Sequence, residues 1–312
     1  MKITVLYQNY NQSEYIEESM SAILNQTYKA HEIIMFDDCS QDNSLEILRK
    51  FIDKEKNITL IENKINKGTA SHANYGIDNA SGDIIYFAAA DDVVLPDLFE
   101  KSVKAFEKYS NLGIFSAKIK SIDKNGNYLK DPKNSLSFLS KENYLSPSKC
   151  IMLLSNGGHW VTGQTCLWRV QFLRNHKLRY YEDLKYMLDH YLIIYITSKY
   201  GAFFYNKYLA KWRYIETSYA HTNFKFNNAI IAYDNFKEKL FNNYILKDKF
   251  NPKRFLSFFY INIYEMYLVD ILKNIKLSIR NSSNKIIFIL LYVLILLLLN
   301  PFILFLKLRR KF

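Results

Sequence analysis

Two adjacent carboxylates, Asp91 and Asp92, are the residues of this chain best placed to do chemistry. They end an apolar, strand-like run that begins at Asp83, and Pro96 then indicates the start of a helix. Strand ends of parallel sheets are where α/β proteins bind ligands. Because neighbouring carboxylates repel each other unless a cation compensates them, the pair predicts a divalent metal that carries a phosphate group. The alternative is a solvated turn and helix cap.

The elements that must position these carboxylates alternate along the first part of the chain. Apolar runs predict strands at 3–7, 32–36 and 58–62 and a fourth that ends at Asp91, with helical spacing between them. This alternation is typical of a parallel sheet covered by helices. A second acidic pair, Asp37–Asp38, follows the strand at 32–36. We therefore expect four carboxylates to meet in one crevice at the same edge of the sheet.

Beyond the fourth strand the pattern is weaker. It predicts helices at 97–109 and 186–200. Between them it predicts a strand at 113–122 and a hairpin turn at 124–127. Gly201 is a natural end for the second helix, because glycine readily adopts the left-handed conformation found there.

The positive charge of the chain is concentrated at its end. The net charge is +12, and the eight basic residues from Lys273 onward, with no acidic residue among them, leave +4 on residues 1–272. They flank residues 286–306, an apolar run of 21 residues that would be about 31 Å long as a helix and so could span or re-enter a bilayer. The charge therefore favours membrane attachment over nucleic-acid binding.

The three cysteines are far apart and show neither metal-ligand spacing nor a disulfide framework, which fits a reducing cytosol. Together with the apolar run, they lead us to expect the protein at the cytoplasmic face of the cell membrane.

Several motifs over about residues 1–215 resemble those of the family 2 glycosyltransferases, which have the GT-A fold. The likeness is carried, in the family's order, by Val5–Asn11, Asn25–Tyr28, Phe36–Ser44, Asn66–Gly68, Asn74–Gly76 and Ala80–Asp83. The resemblance implies an α/β fold class with a Rossmann-like, mostly parallel sheet and helices on both faces. A C-terminal helical region and the apolar membrane segment would follow it.

The resemblance also implies a nucleotide-sugar donor and a Mg²⁺ or Mn²⁺ ion. Asp91 would hold the metal across the diphosphate, where charge grows as the nucleoside diphosphate departs. The other residues implied in binding the nucleotide sugar are Tyr10, Asn11, Asp37, Asp38, Lys67, Asn74 and Asp92. Two positions depart from the family pattern: Ala89 replaces the first acid of a frequent Asp-x-Asp, and Gln8 replaces a usual proline. Metal binding would then depend mainly on Asp91.

Inverting transfer needs a general base for the acceptor hydroxyl group, and two aspartates are candidates. In this family the base begins a helix that ends in glycine about three turns later. Asp189 lies 12 residues before Gly201 and Asp183 lies 18 before it, so Asp189 is the first choice. His190 is expected to point to a different helix face and to be structural. The candidates for acceptor binding are His159, Trp160 and Arg213.

The sequence thus predicts an inverting glycosyltransferase that uses a nucleotide-diphosphate sugar, with a UDP-sugar the first choice, and a glycan or lipid-linked acceptor. Residues 1–218 would form the catalytic domain, with a nucleotide-sugar half at 1–96 and an acceptor half at 97–218. A helical extension at 219–284 and the membrane segment at 285–312 would follow.

Two other function classes stay open. One is a sugar nucleotidyltransferase, although the stretch Tyr7–Asn11 has no glycine-rich basic loop. The other is a non-catalytic, membrane-bound glycan-binding protein with a degenerate site, which Ala89 would fit.

Overall fold

Strands and helices alternate in the first part of the chain. The computed structural model describes residues 1–129, 142–155, 161, 163–215 and 226–242. The first elements, in order, are β1 (Ile3–Asn9), α1 (Ser13–Leu24), β2 (Glu32–Asp37), α2 (Ser44–Ile52), β3 (Ile58–Glu62), α3 (Gly68–Asn79) and β4 (Ile84–Ala89). The four strands predicted in this region are therefore present, with the fourth ending two residues before Asp91.

The later elements are more varied. They are β5 (Val93–Val94), α4 (Leu98–Lys108), β6 (Ile114–Ile122), β7 (Glu142–Leu145), α5 (Pro147–Ser155), β8 (Leu167–Arg169), α6 (Val170–Asn175), α7 (Leu188–Tyr200), β9 (Ala202–Arg213) and α8 (Phe226–Asn242). Short 3₁₀ helices at Gly163–Thr165 and Glu182–Met187 precede β8 and α7.

One mixed sheet runs through the described part of the molecule. Its strands lie in the order β3-β2-β1-β4-β8-β6-β9-β5, and β7 also pairs with β9. The four strands from the edge strand β3 to β4 are parallel throughout, whereas β8 is antiparallel to both of its neighbours. The register sets Asn9 opposite Asp37 and Gln8 opposite Ala89, so the carboxyl ends of β1, β2 and β4 lie side by side.

The core is divided between the two faces of the sheet. On one face, α1, α2 and α4 pack through residues such as Met20, Leu48 and Phe99. On the other, α3, α5, α7 and α8 pack through residues such as Ile77 and Leu192. Because consecutive side chains of a strand point to opposite faces, β1 supplies both clusters. The described chain is thus a mixed α/β fold with helices on both faces.

The long strand β9 and the short strand β8 are the main elements that the sequence pattern did not predict. Helix α7, by contrast, ends where expected. Gly201 follows it with φ 71°, and a Cβ atom there would lie 2.5 Å from the Leu145 carbonyl oxygen. Glycine is therefore required both for the turn and for the close contact with the end of β7.

The predicted membrane segment, 286–306, lies outside the described residues, as do the domain boundaries predicted at 218–219 and 284–285. No helix in the described ranges is both long and apolar enough to cross a membrane.

Candidate active site

A cavity of about 700 Å³ opens where the carboxyl ends of β1 and β4 meet the first turns of α3 and the segment that leads into α7. Four carboxylates from separate parts of the chain line it: Asp38, Asp91, Asp92 and Asp189. The sheet edge thus brings Asp38 and the Asp91–Asp92 pair into one crevice, and Asp189 faces the same space. Tyr10 and Asn11, which follow β1, also belong to the lining.

Asp37, unlike its neighbour, is absent from the cavity lining. It is buried, and its carboxylate accepts hydrogen bonds from Asn9 Nδ2 at 2.9 Å and from the Ser40 backbone N–H at 3.1 Å. Ser40 Oγ in turn accepts a hydrogen bond from the Asn11 backbone N–H. The Asp37 carboxylate therefore joins the end of β1 to the loop after β2.

Asp38 reaches the cavity floor through a tightly bonded loop. Its Oδ1 accepts hydrogen bonds from Asn63 Nδ2 and the Lys67 N–H, and its Oδ2 accepts one from the Gly68 N–H, each at 2.9 Å. Burial opposes ionisation, but these donors outweigh it and hold the pKa of Asp38 below its usual range. Asp38 is thus an anion that shapes the start of α3, with acceptor capacity left mainly on Oδ2.

His72, a residue that the sequence analysis did not predict, contacts the Asp38 carboxylate. The ring stacks on Phe36 with centroids 4.3 Å apart, and Nε2 lies 3.2 Å from Asp38 Oδ1 and 2.9 Å from Asn63 Nδ2. Burial lowers the pKa of His72, so the ring is neutral near pH 7. Nothing local in the sequence marks this histidine, because it lies within an ordinary helical pattern.

The tight turn after β4 presents Asp91 and Asp92 at the cavity wall. The Asp92 carboxylate accepts hydrogen bonds from the Arg213 backbone N–H at 3.1 Å and from the Gln164 side chain. The Asp91 carboxylate, by contrast, accepts a hydrogen bond from its own backbone N–H and from no other residue of the described chain. Burial raises the pKa of both groups, and for Asp92 the charge of Asp91 raises it further. This is the electrostatic condition that a bound cation would relieve.

These two carboxylates fit a divalent cation as a pair. No group of three metal-binding side chains occurs among the described residues, and the exposed Ala89 offers no ligand. Hard cations such as Mg²⁺ accept carboxylates together with phosphate oxygens and water. Asp91, whose oxygens have no other side-chain partner in the described ranges, remains the residue on which metal binding would depend most.

Arg213 lies behind the Asp91–Asp92 turn and is 2% exposed. It is not among the residues that line the cavity. Its Nε donates to the Asp91 carbonyl oxygen at 3.0 Å, and its guanidinium also bonds Glu18 and the carbonyl groups of Asp123 and Lys124. The predicted contact with an acceptor does not agree with this position, because the described bonds of the guanidinium go to other parts of the protein and Arg213 is absent from the cavity lining. Arg213 positions the turn instead.

Replacing Arg213 by methionine is expected to lower the free energy of unfolding by about 3 kcal/mol, because three partly buried carbonyl groups and Glu18 lose the charged donor that the buried arginine supplies. Urea unfolding followed by fluorescence measures this. Arg179→Met is the matched control, since Arg179 bonds the half-exposed Asp78 at the surface and its loss should cost about 1 kcal/mol or less. Equal unfolding free energies for the two variants would contradict the role given to Arg213.

Asp189 enters the cavity from the first turn of α7. Its Oδ2 passes close to Gly163, where an added Cβ atom would lie 3.7 Å away. His190 Nδ1 lies 2.9 Å from Asp189 Oδ1, so His190 contacts its neighbour and does not point away as expected. Burial alone would raise the pKa of Asp189, but the charge of the adjacent His190 lowers it below the usual range.

Asp183, the second candidate base, lies outside the cavity lining. Its side chain is exposed and pairs with Lys239 of α8 at 3.2 Å, while its carbonyl oxygen accepts a hydrogen bond from Asn235 Nδ2 at 3.0 Å. Asp183 therefore ties the 3₁₀ segment before α7 to α8.

Two further predicted donor-site residues do not line the cavity. The side chain of Lys67 is exposed, and its contribution is the backbone N–H given to Asp38. Asn74 exchanges two hydrogen bonds with the backbone of Tyr180, at 2.8 and 2.9 Å, and thereby fixes the segment before α7 against α3. His159 and Trp160, predicted to bind the acceptor, lie outside the described residues.

Besides His72, the lining includes Gln8, Gln164 and Lys185. Gln164 directly follows Gly163, and its side chain donates to the Asp92 carboxylate. Gln8 Oε1 is buried without a hydrogen-bond donor in the described chain and lies beside Ala89 across the parallel strands. Lys185 has φ 50° and ψ −125°, a backbone conformation that no sequence pattern had indicated.

Known proteins share both the sequence pattern and the fold. The family model described as glycosyl transferase family 2 matches residues 4–174. An uncharacterised glycosyltransferase of Haemophilus influenzae is 31% identical over 189 residues, which cover 60% of this chain and 58% of that protein. The match therefore spans little more than half the length of this relative.

Two solved structures resemble the described fold. S. aureus TarS in complex with UDP superposes with a TM-score of 0.62 at 18% identity, covering 85% of this chain and 72% of that one. PcManGT from Pyrobaculum calidifontis, in complex with GDP-Man and Mn²⁺, gives 0.63 at 17% identity, covering 98% and 83%. Both have the GT-A fold. Because the family model covers more than half of the sequence, the chain belongs to glycosyl transferase family 2.

Proposed function

We propose that this protein is an inverting glycosyltransferase that moves a hexosyl or N-acetylhexosaminyl group from a nucleoside-diphosphate sugar to a hydroxyl group of a glycan or lipid-linked saccharide. The observation that carries the proposal is the single cavity in which Asp38, the Asp91–Asp92 pair and Asp189 meet. These carboxylates differ in their surroundings, and different surroundings allow similar groups to take different roles.

Asp189 acts as the general base. Its low pKa keeps the carboxylate ionised. One carboxylate oxygen accepts the proton of the acceptor hydroxyl group while the oxygen of that hydroxyl group attacks the anomeric carbon. The bond between this carbon and the diphosphate oxygen breaks on the opposite face, and its electron pair leaves with the nucleoside diphosphate. The new bond therefore has inverted configuration, and the proton on Asp189 passes to solvent afterwards.

The donor lies between Asp38 and Asp91. Asp38, held by the start of α3, accepts from the base or ribose through its remaining acceptor capacity. Asp91, with Asp92 beside it, would hold Mg²⁺ or Mn²⁺. A divalent cation, when bound, neutralises the charge that develops on the departing diphosphate. UDP in TarS and GDP-Man with Mn²⁺ in PcManGT are consistent with such a donor, and a UDP-sugar is our first choice.

The acceptor is proposed to be presented at the cytoplasmic face of the cell membrane, where residues 286–306 would attach the protein. Attachment raises the local concentration of a lipid-linked acceptor. The basic excess flanking that segment supports membrane contact and gives no reason to expect a nucleic-acid partner.

Incubation of the full chain with a panel of UDP- and GDP-sugars tests the function. Each sugar is offered with Mg²⁺, with Mn²⁺ or with a chelator, and nucleoside diphosphate release is measured with and without membrane lipid extract. We expect metal-dependent release with one donor, increased by acceptor. Binding of a nucleotide sugar without any release, from every donor and extract, would instead support a non-catalytic glycan-binding protein.

His190→Ala is expected to shift the acid limb of the kcat/KM profile to higher pH. Transfer requires ionised Asp189, so activity falls as the pH drops through the pKa of that group. The charge of His190 lowers this pKa, and without it the pKa rises. Rates measured from about pH 3 to 8, a range that reaches below the ordinary pKa of an aspartate, test this. His176→Ala is the control, because its ring contacts Tyr200 away from the cavity, and an unmoved limb in His190→Ala would contradict the assignment.

A further inference from the structure

Lys185 is a cation in a cavity whose other charged side chains are acidic. Among the described lining residues, four aspartates carry negative charge, and the ammonium group of Lys185 is the positive side chain that the protein itself supplies. A nucleoside diphosphate adds further negative charge to this space. Positive groups must then compensate phosphoryl oxygens as well as carboxylates, since unpaired charges are costly where water is partly excluded.

The backbone holds Lys185 in a conformation that only glycine adopts easily. Its φ of 50° and ψ of −125° interrupt the 3₁₀ segment. Strained residues of this kind persist when the surroundings fix them, and they occur preferentially at functional sites.

The surroundings of Lys185 do fix it. Leu184 and Met187 are both fully buried, so the chain is anchored immediately before and soon after the strained residue. Asp183 is joined to α8 through Asn235 and Lys239. The loop is thus built to present position 185 to the cavity.

The ammonium group of Lys185 is left available for a ligand. Within the described ranges it makes no hydrogen bond and no ion pair. Lys239 of α8, by contrast, pairs with Asp183, which lies two residues before Lys185. Lys185 lies four residues before Asp189, and both residues line the cavity from the same segment. Lysine binds phosphate as a compact point charge with three rotatable donors.

We infer that Lys185 Nζ binds a phosphoryl group of a substrate in this cavity. The inference deepens the proposed transferase function and rests on it. The phosphoryl group has two sources with the same chemistry, the diphosphate of the donor and a phosphate carried by the acceptor, and ligand titrations separate them.

The test uses the full chain with three substitutions at one position. Lys185→Met removes the charge and keeps most of the side chain, Lys185→Gly removes the charge and relaxes the positive φ, and Lys185→Arg retains the charge. Lys207→Met removes an equal charge from an exposed position outside the cavity. Because glycine favours the observed backbone conformation, Lys185→Gly keeps the test valid even if Lys185→Met is unstable.

Calorimetric titration with UDP and with GDP, in the presence of Mg²⁺, measures the donor source. Titration with glycerol 3-phosphate on the UDP-saturated protein, with glycerol as the neutral control, measures the acceptor source. Loss of a charge-assisted contact should weaken one of these affinities about 10- to 100-fold in Lys185→Met and Lys185→Gly, with Lys185→Arg and Lys207→Met close to wild type. The affected affinity should also lose part of its dependence on NaCl concentration.

A fall in nucleotide affinity assigns Lys185 to the donor diphosphate, and a fall confined to glycerol 3-phosphate assigns it to a phosphorylated acceptor. Wild-type affinities for both ligands in Lys185→Met and Lys185→Gly would overturn the inference while leaving the transferase function intact. Failure of the wild-type protein to bind either nucleotide would overturn both.

Discussion

Replacing Asp189 by asparagine is expected to lower kcat for sugar transfer by about 10²- to 10⁴-fold, because the acceptor hydroxyl group loses its proton acceptor. Asparagine keeps the size of the side chain at the start of α7, and Asp189 is half-buried beside Gly163 and His190. The affinity for UDP should stay within about twofold of wild type, since the base does not hold the nucleotide. Initial rates with saturating donor, together with UDP titration, measure both quantities.

Asp183→Asn is the matched control for this experiment. The side chain of Asp183 is exposed and pairs with Lys239 outside the cavity, so its loss should change kcat by about twofold or less. A large loss of kcat in Asp183→Asn, together with a wild-type kcat in Asp189→Asn, would reverse the order of the two candidate bases. Comparable losses in both would show that the segment before α7 acts as one structural unit.

Asp91→Asn is expected to remove the metal-dependent part of donor binding and to reduce kcat/KM by about 10²-fold or more, since several kcal/mol of charge stabilisation depend on the ion. An amide is a neutral and weaker ligand, and no third metal-binding side chain is grouped with this pair in the described ranges. The Mn²⁺ concentration that gives half-maximal rate measures the change.

Ala89→Asp is the complementary variant. Ala89 is exposed at the end of β4, opposite Gln8 in the sheet register, so a carboxylate there would add a charged oxygen ligand near Asp91. We expect it to lower the Mn²⁺ concentration needed for activity. A metal response that is the same in Asp91→Asn, Ala89→Asp and wild type would contradict the metal assignment.

Those parts of the site that depend on local pattern could be predicted from the sequence. An apolar run followed by two acidic residues is a short-range signal, and the ends of β2 and β4 lie where that signal predicts. Both strands run parallel to β1, which lies between them, so their carboxyl ends share one edge of the sheet and Asp38 and Asp91 line the same cavity.

The parts that depend on distant contacts could not be predicted. Arg213 bonds Glu18 across 195 sequence positions, and no local pattern distinguishes such a buried arginine from one that meets a ligand. His72 supports Asp38 from the interior of a helix. β8 has three residues, too few to show a period. The positive φ of Lys185 follows from the burial of the residues around it.

The contacts of Arg213 mean that the two predicted halves of this chain, 1–96 and 97–218, are not interchangeable modules. The last residue of β9 fixes the Asp91–Asp92 turn, while β5, which directly follows that turn, pairs with the same strand. A chimaera that joins residues 1–96 to the second half of another family member must therefore also bring an arginine at this place. Without one, the chimaera would keep Asp91 and Asp92 of the proposed metal site and lose the contacts that hold their turn in place.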